Sequence, residues 1–135
     1  MRFLLCFFLM AMMMGEKPQK IEDLRWKNRI VLYFPGKSGT FPKLSHELEE
    51  GVRERKIVYF VFDEILNSNS QVDFSNAYIS EIRKKFGASC EEACWVLIGL
   101  DGGVKLRKEG ELDWGYIFKT IDSMPMRRSE IGSKT

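Results

Sequence analysis

Two cysteines four positions apart, Cys90 and Cys94, are the residues whose type and spacing most directly suggest chemistry. If the segment between them forms a helical turn, their α-carbons lie about 6 Å apart, which is within the range of a disulfide. Glu91 and Glu92 lie between them, and their negative charge opposes the thiolate on which redox chemistry depends. We therefore predict a structural disulfide, with unpaired thiols or a redox-active pair as the alternatives.

Four basic side chains form a second candidate site. Lys105 and Arg107 would meet Arg127 and Arg128 if the C-terminal segment folded back beside an edge strand. Because arginine binds carboxylate or phosphate through two parallel hydrogen bonds, we predict an anion-binding site at Arg107, Arg127 and Arg128. The alternative is that Arg127 and Arg128 stabilise the end of a helix or pair with a carboxylate such as Glu130.

The sequence contains no pattern typical of a metal or cofactor site. Two thiolates need further ligands to hold a metal, and the single histidine, His46, falls on the polar side of a predicted helix. We therefore expect His46 to face solvent, and we expect neither a metal nor another cofactor.

The first fifteen residues have the pattern of a secretory signal peptide. Arg2 precedes an apolar run that ends at Met14, and Gly15 is followed by polar residues. The run is shorter than the about 20 apolar residues that a spanning helix needs. We therefore expect residues 1–15 to be removed on export to a periplasm or out of the cell, with a retained anchor or a core element as alternatives. In such an oxidising compartment the two remaining cysteines can pair.

The charge balance excludes some partners. Removal of Arg2 lowers the formal net charge of +2 by one, so the mature chain has no electrostatic footprint for nucleic acid. It also has no polybasic face for a membrane surface. We expect no nucleic-acid partner and no stable membrane insertion after cleavage.

Apolar runs and helical periodicity predict the element order β-α-β-α-β-β-α. Three continuous apolar strands and an alternating fourth strand are predicted at residues 30–34, 57–62, 95–100 and 104–107. The helices are predicted to begin near residues 41, 74 and 113, with Thr40 and Asp73 as N-caps of the first two and Pro125 closing the last.

Connection rules then fix a predicted topology. A right-handed crossover makes the first two strands parallel, and Asp-Gly-Gly at residues 101–103 favours a tight turn between the last two. The result is an α/β fold with a four-stranded mixed sheet in the order 2-1-3-4 and helices on both faces. The second strand is then an apolar edge that needs a cover. We expect residues 20–28 to supply it or, in a homodimer, a second copy of the chain; residues 67–70 are expected to form a loop.

The element order resembles the thioredoxin fold, and three segments resemble a narrower family, the P-DUDES domain. These segments are residues 24–29 (LRWKNR), 99–107 (GLDGGVKLR) and 121–130 (IDSMPMRRSE). The resemblance covers about residues 20–130. It implies a thioredoxin-like domain of unknown function in an exported protein, as in small bacterial proteins and animal matrix proteins, and it implies no established reaction.

Redox members of the thioredoxin fold carry a thiol after the first strand, where amides at a helix start stabilise the thiolate. Here that place, residues 35–41 (PGKSGTF), contains no cysteine. We expect a turn and a helix cap there or, alternatively, an anion site that uses Lys37. Catalytic families also place a proline before the third strand, and here Ala93 and Cys94 occupy that position.

These features predict an exported, thioredoxin-like binding or interaction module, secreted or periplasmic, whose partner is an unknown protein or a small anion. Because the chain lacks the Cys-x-x-Cys pair of redox thioredoxins, we expect no catalytic residue. A peroxiredoxin-like enzyme or thiol–disulfide oxidoreductase that uses Cys90 and Cys94 is the alternative, and an anion-binding module is a third hypothesis. Residues 131–135 are expected to form a flexible tail.

Overall fold

A five-stranded mixed sheet lies at the centre of the protein in the computed structural model, which describes residues 16–37 and 40–132. The strands are β1 (Arg29–Phe34), β2 (Ile57–Phe62), β3 (Leu66–Ser68), β4 (Cys94–Ile98) and β5 (Val104–Glu109). The helices are α1 (His46–Glu54), α2 (Asn76–Ile82), α3 (Trp114–Asp122) and α4 (Pro125–Gly132). A 3-10 turn (Ile21–Leu24) precedes β1, and a π-helical turn (Arg83–Gly87) continues α2.

The strands follow the order β3-β2-β1-β4-β5 across the sheet. β1 and β2 are parallel, whereas the other neighbouring pairs are antiparallel. The predicted four-stranded sheet in the order 2-1-3-4 is therefore wrong in strand number and order, although the architecture is broadly thioredoxin-like. The four predicted strands keep their predicted neighbours, and the difference is β3, which adds a strand outside β2.

β3 and the residue after it cover the edge of β2. The side chain of Asn69 accepts a hydrogen bond from the N–H of Tyr59 (2.9 Å) and donates one to the carbonyl oxygen of Ile57 (3.0 Å). The expectation that residues 67–70 form only a loop, and that residues 20–28 cover this edge, is wrong. Residues 20–28 instead contain the 3-10 turn, which packs on a face of the sheet. A homodimer through this side of the sheet stays a prediction.

The sheet separates two apolar cores, because the continuous runs of β1 and β4 are buried on both faces. α2 and the 3-10 turn pack on one face, where the core includes Ile30 and Ile98. α1 and α3 pack on the other face, where the core includes Val31 and Leu97. The prediction of helices on both faces is confirmed, and the two faces carry different groups of polar residues.

The first two helices begin later than predicted because serines cap them. The hydroxyl oxygens of Ser45 and Ser75 accept backbone hydrogen bonds of 3.2 and 3.1 Å at the starts of α1 and α2. Thr40 and Asp73 are therefore not the N-caps. α3 begins at Trp114, close to the predicted start, and the side chain of Asp113 caps it by accepting a hydrogen bond from the N–H of Tyr116 (3.0 Å).

The β4–β5 hairpin follows the prediction closely. Gly102 in its turn has a φ of +83°, a conformation that other residues adopt only with strain. β5 is the outer strand, and it is more exposed than the half-exposed strand that its alternating pattern predicts. Lys105 and Arg107 lie on this strand.

The C-terminal segment differs from the prediction, since Pro125 begins α4 instead of ending the last helix. α4 includes the first two residues of the expected tail, Ile131 and Gly132. The predicted signal peptide (residues 1–15) and residues 133–135 lie outside the described residues. None of the helices among the described residues combines the length and apolar character needed to cross a membrane.

Candidate functional site

The sulfur atoms of Cys90 and Cys94 lie at disulfide distance, as the spacing predicts, and the two α-carbons are 5.8 Å apart. Cys94 is the first residue of β4 and is fully buried. Cys90 is half-buried in the turn that follows the π-helical segment. The pair therefore fastens the end of the α2 segment to the central sheet.

The loop after β1 lies beside this cysteine turn. A β-carbon at Gly36 would come within 3.0 Å of the carbonyl carbon of Glu92, so glycine permits this approach. α1 begins only at His46, and the expected helix start beside Lys37 is therefore wrong. The anion site predicted there loses the helix amides on which it depended, and two of its residues, Ser38 and Gly39, lie outside the described residues.

A cleft of about 670 Å³ beside the cysteine turn is acidic. Glu91 and Glu92 from the turn and Glu109 and Glu111 from the end of β5 line it. Carboxylates close to a thiol oppose its ionisation, because two negative charges repel each other. We call this feature the acidic cleft, and it favours a closed disulfide over a reactive thiolate.

Arg107 holds the turn that carries Cys90. Its guanidinium donates hydrogen bonds to the carbonyl oxygen of Phe86 (2.7 Å) and to the hydroxyl of Ser89 (2.5 Å). Its Nη2 also lies 3.6 Å from the Sγ of Cys90. Arg107 therefore lies on the face of the sheet that α2 covers.

Arg127 lies on the opposite face, where it is only 2% exposed and surrounded by carboxylates. It donates hydrogen bonds to Asp122 (3.2 Å), Glu54 (3.0 Å) and Glu130 (3.4 Å). Burial opposes its charge, but these hydrogen bonds outweigh that effect and raise the pKa of Arg127 above its ordinary value. Arg127 thus connects α4 to the C-terminal ends of α1 and α3.

Arg29 is a second buried arginine, which sequence reasoning missed. It is 1% exposed and donates to the carbonyl oxygen of Arg55 (3.0 Å) and to the carboxylate of Glu130 (3.4 Å). Arg55 in turn binds Asp122 through two nitrogens, and this bonding, with help from Arg127, holds the pKa of Asp122 below its ordinary value. The arginine network consists of Arg29, Arg55, Arg127, Glu54, Asp122 and Glu130.

The predicted anion-binding residues do not come together. Arg107 and Arg127 lie on opposite faces of the sheet, and Arg128 is exposed. Lys105 pairs with Asp101 at 2.8 Å in the hairpin. Anion binding at Arg107, Arg127 or Arg128 stays a prediction without a shared site.

His46 faces solvent, as predicted, and lies 3.1 Å from a carboxylate oxygen of Glu50. Within residues 16–37 and 40–132, no group of three potential ligands could hold a metal ion.

A second cleft, of about 500 Å³, lies between the 3-10 turn and the β4–β5 hairpin. We call it the hairpin cleft. Its cationic lining residues are Arg25 and Lys85, and its apolar lining residues are Ile21, Ile30, Phe86, Ile98 and Val104. Sequence reasoning missed this cleft, although two of the three segments that carry the family resemblance contribute to its wall.

Trp26 fixes the backbone beside the hairpin cleft. Its φ of +67° is uncommon for a residue other than glycine, and its side chain is 62% exposed. Its N–H donates to the carbonyl oxygen of Leu100 (2.7 Å), and the Nε of Arg25 donates to that of Asp101 (2.8 Å). Strained residues of this kind cluster at functional sites, so the hairpin cleft is a candidate binding site.

Comparison with known proteins adds a family. No curated protein and no solved structure matches the chain. The family model for a domain of unknown function, DUF4174, matches residues 20–130, which include both clefts, the cysteine pair and the arginine network. Because this match covers most of the chain, the protein belongs to the family of the domain of unknown function DUF4174.

Proposed function

We propose that this protein is an exported, thioredoxin-like domain of the P-DUDES type that binds a partner and performs no cysteine chemistry. Export is supported by the pattern of residues 1–15, and the P-DUDES assignment by the resemblance of residues 24–29, 99–107 and 121–130. A periplasm or the outside of the cell is the expected location.

The observation that carries this proposal is the loop after β1. Redox enzymes with this architecture need a thiol there, at the N-terminus of a helix whose amides stabilise the thiolate. Residues 35–41 contain no cysteine, and α1 begins beyond them at His46. Both the reacting atom and the helix that would activate it are thus missing from the catalytic position.

The surroundings of Cys90 and Cys94 support the same proposal. Cys94 is fully buried, so its sulfur is poorly placed to meet a substrate. Glu91 and Glu92 lie between the two cysteines in the chain and also line the acidic cleft, and negative charge beside a thiol opposes a thiolate. A structural disulfide explains these features without a reaction.

One contact favours the second candidate function, a thiol–disulfide oxidoreductase or peroxiredoxin-like enzyme. The guanidinium of Arg107 lies 3.6 Å from the Sγ of Cys90, and a cation at this distance stabilises a thiolate. In such an enzyme the two thiols would give two electrons and two protons to a substrate disulfide or peroxide. Cys90 and Cys94 would then close as a disulfide, which an external dithiol would have to reduce.

A turnover assay separates the two functions. Purified wild-type protein and a Cys90→Ser/Cys94→Ser variant are incubated with dithiothreitol and with hydrogen peroxide or oxidised glutathione. We expect both proteins to match the rate of the reductant alone. Turnover by the wild type that disappears in the variant, while circular dichroism shows an intact fold, would overturn the proposal.

The proposed export has its own test. The protein recovered outside the cytoplasm should have the mass of a chain that lacks about the first fifteen residues. Treatment with a reductant should raise this mass by two hydrogen atoms, as expected for one disulfide. An intact N-terminus on protein that stays in the cytoplasm would contradict export.

A further inference from the structure

The hairpin cleft has the size and lining of a small-molecule site. Its volume of about 500 Å³ falls within the range of about 300–1,000 Å³ that is typical of ligand pockets. Its interior is mainly apolar, and β1 contributes Ile30 while β4 contributes Ile98. Such walls favour a ligand with an apolar body, since a fully polar ligand would lose hydration there without regaining hydrogen bonds.

The cations of the hairpin cleft determine the charge of the ligand it would accept. Arg25 uses its Nε on the carbonyl oxygen of Asp101, and neither of its terminal nitrogens has a hydrogen-bond partner among the described residues. Lys85 likewise makes no ion pair in the described part of the chain, although its Nζ lies 5.3 Å from the centre of the Phe86 ring. Two donors that bind carboxylate well are therefore available at the cleft.

Two carboxylates, Glu22 and Asp101, also line the hairpin cleft, and each accepts its hydrogen bonds from groups other than Arg25 and Lys85, although the charge of Arg25 helps to lower the pKa of Asp101. Glu22 accepts a hydrogen bond from the hydroxyl of Tyr78 (3.1 Å). Asp101 accepts hydrogen bonds from Lys105 (2.8 Å) and from the N–H of Gly103 (2.9 Å). The hydrogen bond from Lys105 is the main cause that lowers the pKa of Asp101 below its ordinary value.

Arg25 is held in place before any ligand arrives. The neighbouring Trp26 fixes the backbone at positive φ and bonds to Leu100. The side chain of Arg25 crosses the hairpin turn at Gly102, where a β-carbon would lie only 3.3 Å from its Nε. Prior ordering of this kind reduces the entropy that binding would otherwise cost.

We infer that the hairpin cleft binds a small organic carboxylate whose apolar chain or ring lies against Ile30, Phe86 and Ile98. The carboxylate would accept hydrogen bonds from the terminal nitrogens of Arg25 and from Lys85. This inference rests on the proposed binding function and names the ligand class for one site of the protein.

The test compares two probes that differ in charge. 4-Phenylbutyrate and its uncharged analogue 4-phenylbutan-1-ol are titrated into isotopically labelled full-length protein, and amide shifts are followed by nuclear magnetic resonance. We expect the carboxylate to shift the amides of Ile98, Gly99 and Gly103 and to bind about tenfold more tightly than the alcohol. Equal affinities, shifts confined to other regions or no binding of the carboxylate would each overturn the inference.

Charge-removing variants with matched controls locate the site. Arg25→Gln and Lys85→Gln should each weaken 4-phenylbutyrate binding about tenfold. The controls are Lys27→Gln and Lys84→Gln. Both lysines are exposed and lie close in the chain to Arg25 and Lys85, but neither lines the cleft, so these substitutions should leave the affinity unchanged. Equal effects of test and control variants would contradict the site. Even if Arg25→Gln fails to fold, Lys85→Gln decides the question, because Lys85 is exposed.

The two proposals fail in different ways. Thiol-dependent turnover in the assay described above would overturn the non-catalytic function whatever the hairpin cleft binds. Failure to bind 4-phenylbutyrate, in a protein that also shows no turnover, would overturn only the ligand class of this cleft.

Discussion

Arg127 keeps its charge in an almost inaccessible position because three carboxylates surround it. Taking an ion pair out of water costs desolvation free energy, which attraction and hydrogen bonds must offset. Removal of one partner therefore lowers the free energy of unfolding by more than the intact pair adds to it, because the remaining charges stay in a position where water solvates them poorly. At the scale of the residue, Arg127 is a connector between helices.

We predict that Arg127→Ala lowers the free energy of unfolding by about 2 kcal/mol. Breaking a fully buried ion pair costs about 3–5 kcal/mol. We expect a smaller loss here because the partner carboxylates are partly exposed. Urea denaturation of wild type and variant measures the difference. Arg128→Ala is the matched control, since Arg128 is exposed and its removal should change stability by no more than about 0.5 kcal/mol. Equal effects of the two substitutions would contradict the arginine network.

The network also predicts a pH dependence of stability. The hydrogen bond from Arg55 is the main cause that holds the pKa of Asp122 below its ordinary value, which is about 3.9 in an unfolded chain. The stabilisation is therefore complete above about pH 4 and is lost as the pH falls through the lower pKa of the folded state. Unfolding free energies measured between pH 7 and pH 2 should decrease less for Asp122→Asn than for the wild type.

Asp73→Asn is the control, because it changes an exposed carboxylate, and it should retain the wild-type decrease. An identical decrease in all three proteins would refute this role of Asp122.

Single-residue roles could be predicted only in part from the sequence. The cysteine pair could be predicted because its spacing alone limits the distance between the α-carbons. The role of Arg29 could not, since an arginine beside an apolar run is equally compatible with a surface charge and with a buried partner. For Arg127, pairing with Glu130 was one of the predicted alternatives, but its burial was not predicted. The available signal was the place of Arg29 directly before a strand buried on both faces.

At the scale of elements, apolar content located the main strands but not the short one. β1, β2 and β4 are buried and carry continuous apolar runs. β3 has only three residues, Leu66–Ser68, and two of them are polar. It forms because the exposed edge of β2 offers unpaired backbone groups, which is a property of the assembled sheet.

Helix boundaries depend on a choice that the local sequence leaves open. Thr40 and Ser45 are both acceptable N-caps, and packing decides between them. Phe41 and Leu44 contact the core from an irregular segment. Their helical spacing therefore predicted a helix where the chain forms none. The displaced start of α1 matters for function, because it removes the helix amides from the loop after β1.

The edge of β2 provides a prediction for this scale. Asn69→Ala removes both hydrogen bonds that the side chain makes to the backbone of β2. We expect the free energy of unfolding to fall by about 0.5–1.5 kcal/mol, since water can reach this exposed edge and replace part of the bonding. Thermal or urea unfolding measures the change.

Asn67→Ala provides the comparison, because among the described residues the side chain of Asn67 bonds only to the carbonyl oxygen of Ile65, two positions earlier in the chain. Its effect should stay within about 0.5 kcal/mol. A loss at Asn67 as large as the loss at Asn69 would show that Asn69 does not protect the sheet edge.

At the scale of the whole molecule, the sheet keeps the two groups of polar residues apart. The cysteine turn, Arg107 and the hairpin cleft lie on or beside the face that α2 covers. The arginine network lies on the α1 and α3 face. The residues predicted to bind an anion do not share one site for this reason, because the sequence does not show which face of the sheet the side chains of Arg107 and Arg127 take.

The hairpin cleft could not be predicted either, because it joins segments that are far apart in the sequence. Residues 24–29 and 99–107 carry the family resemblance, yet only the fold places Arg25 across the turn at Gly102. The architecture was predictable because apolar patterning sets it, whereas the clefts depend on contacts between distant loops.

We propose that Cys90 and Cys94 form a structural pair in a domain that binds, and the reduction potential of this pair tests the proposal most directly. Equilibration of the purified protein with redox buffers, followed by thiol alkylation and mass measurement, gives the value. We predict a potential below about −300 mV, as for structural disulfides, because Cys94 is buried and the acidic cleft disfavours thiolates. A potential between about −120 and −270 mV, the range of working oxidoreductases, would contradict the account.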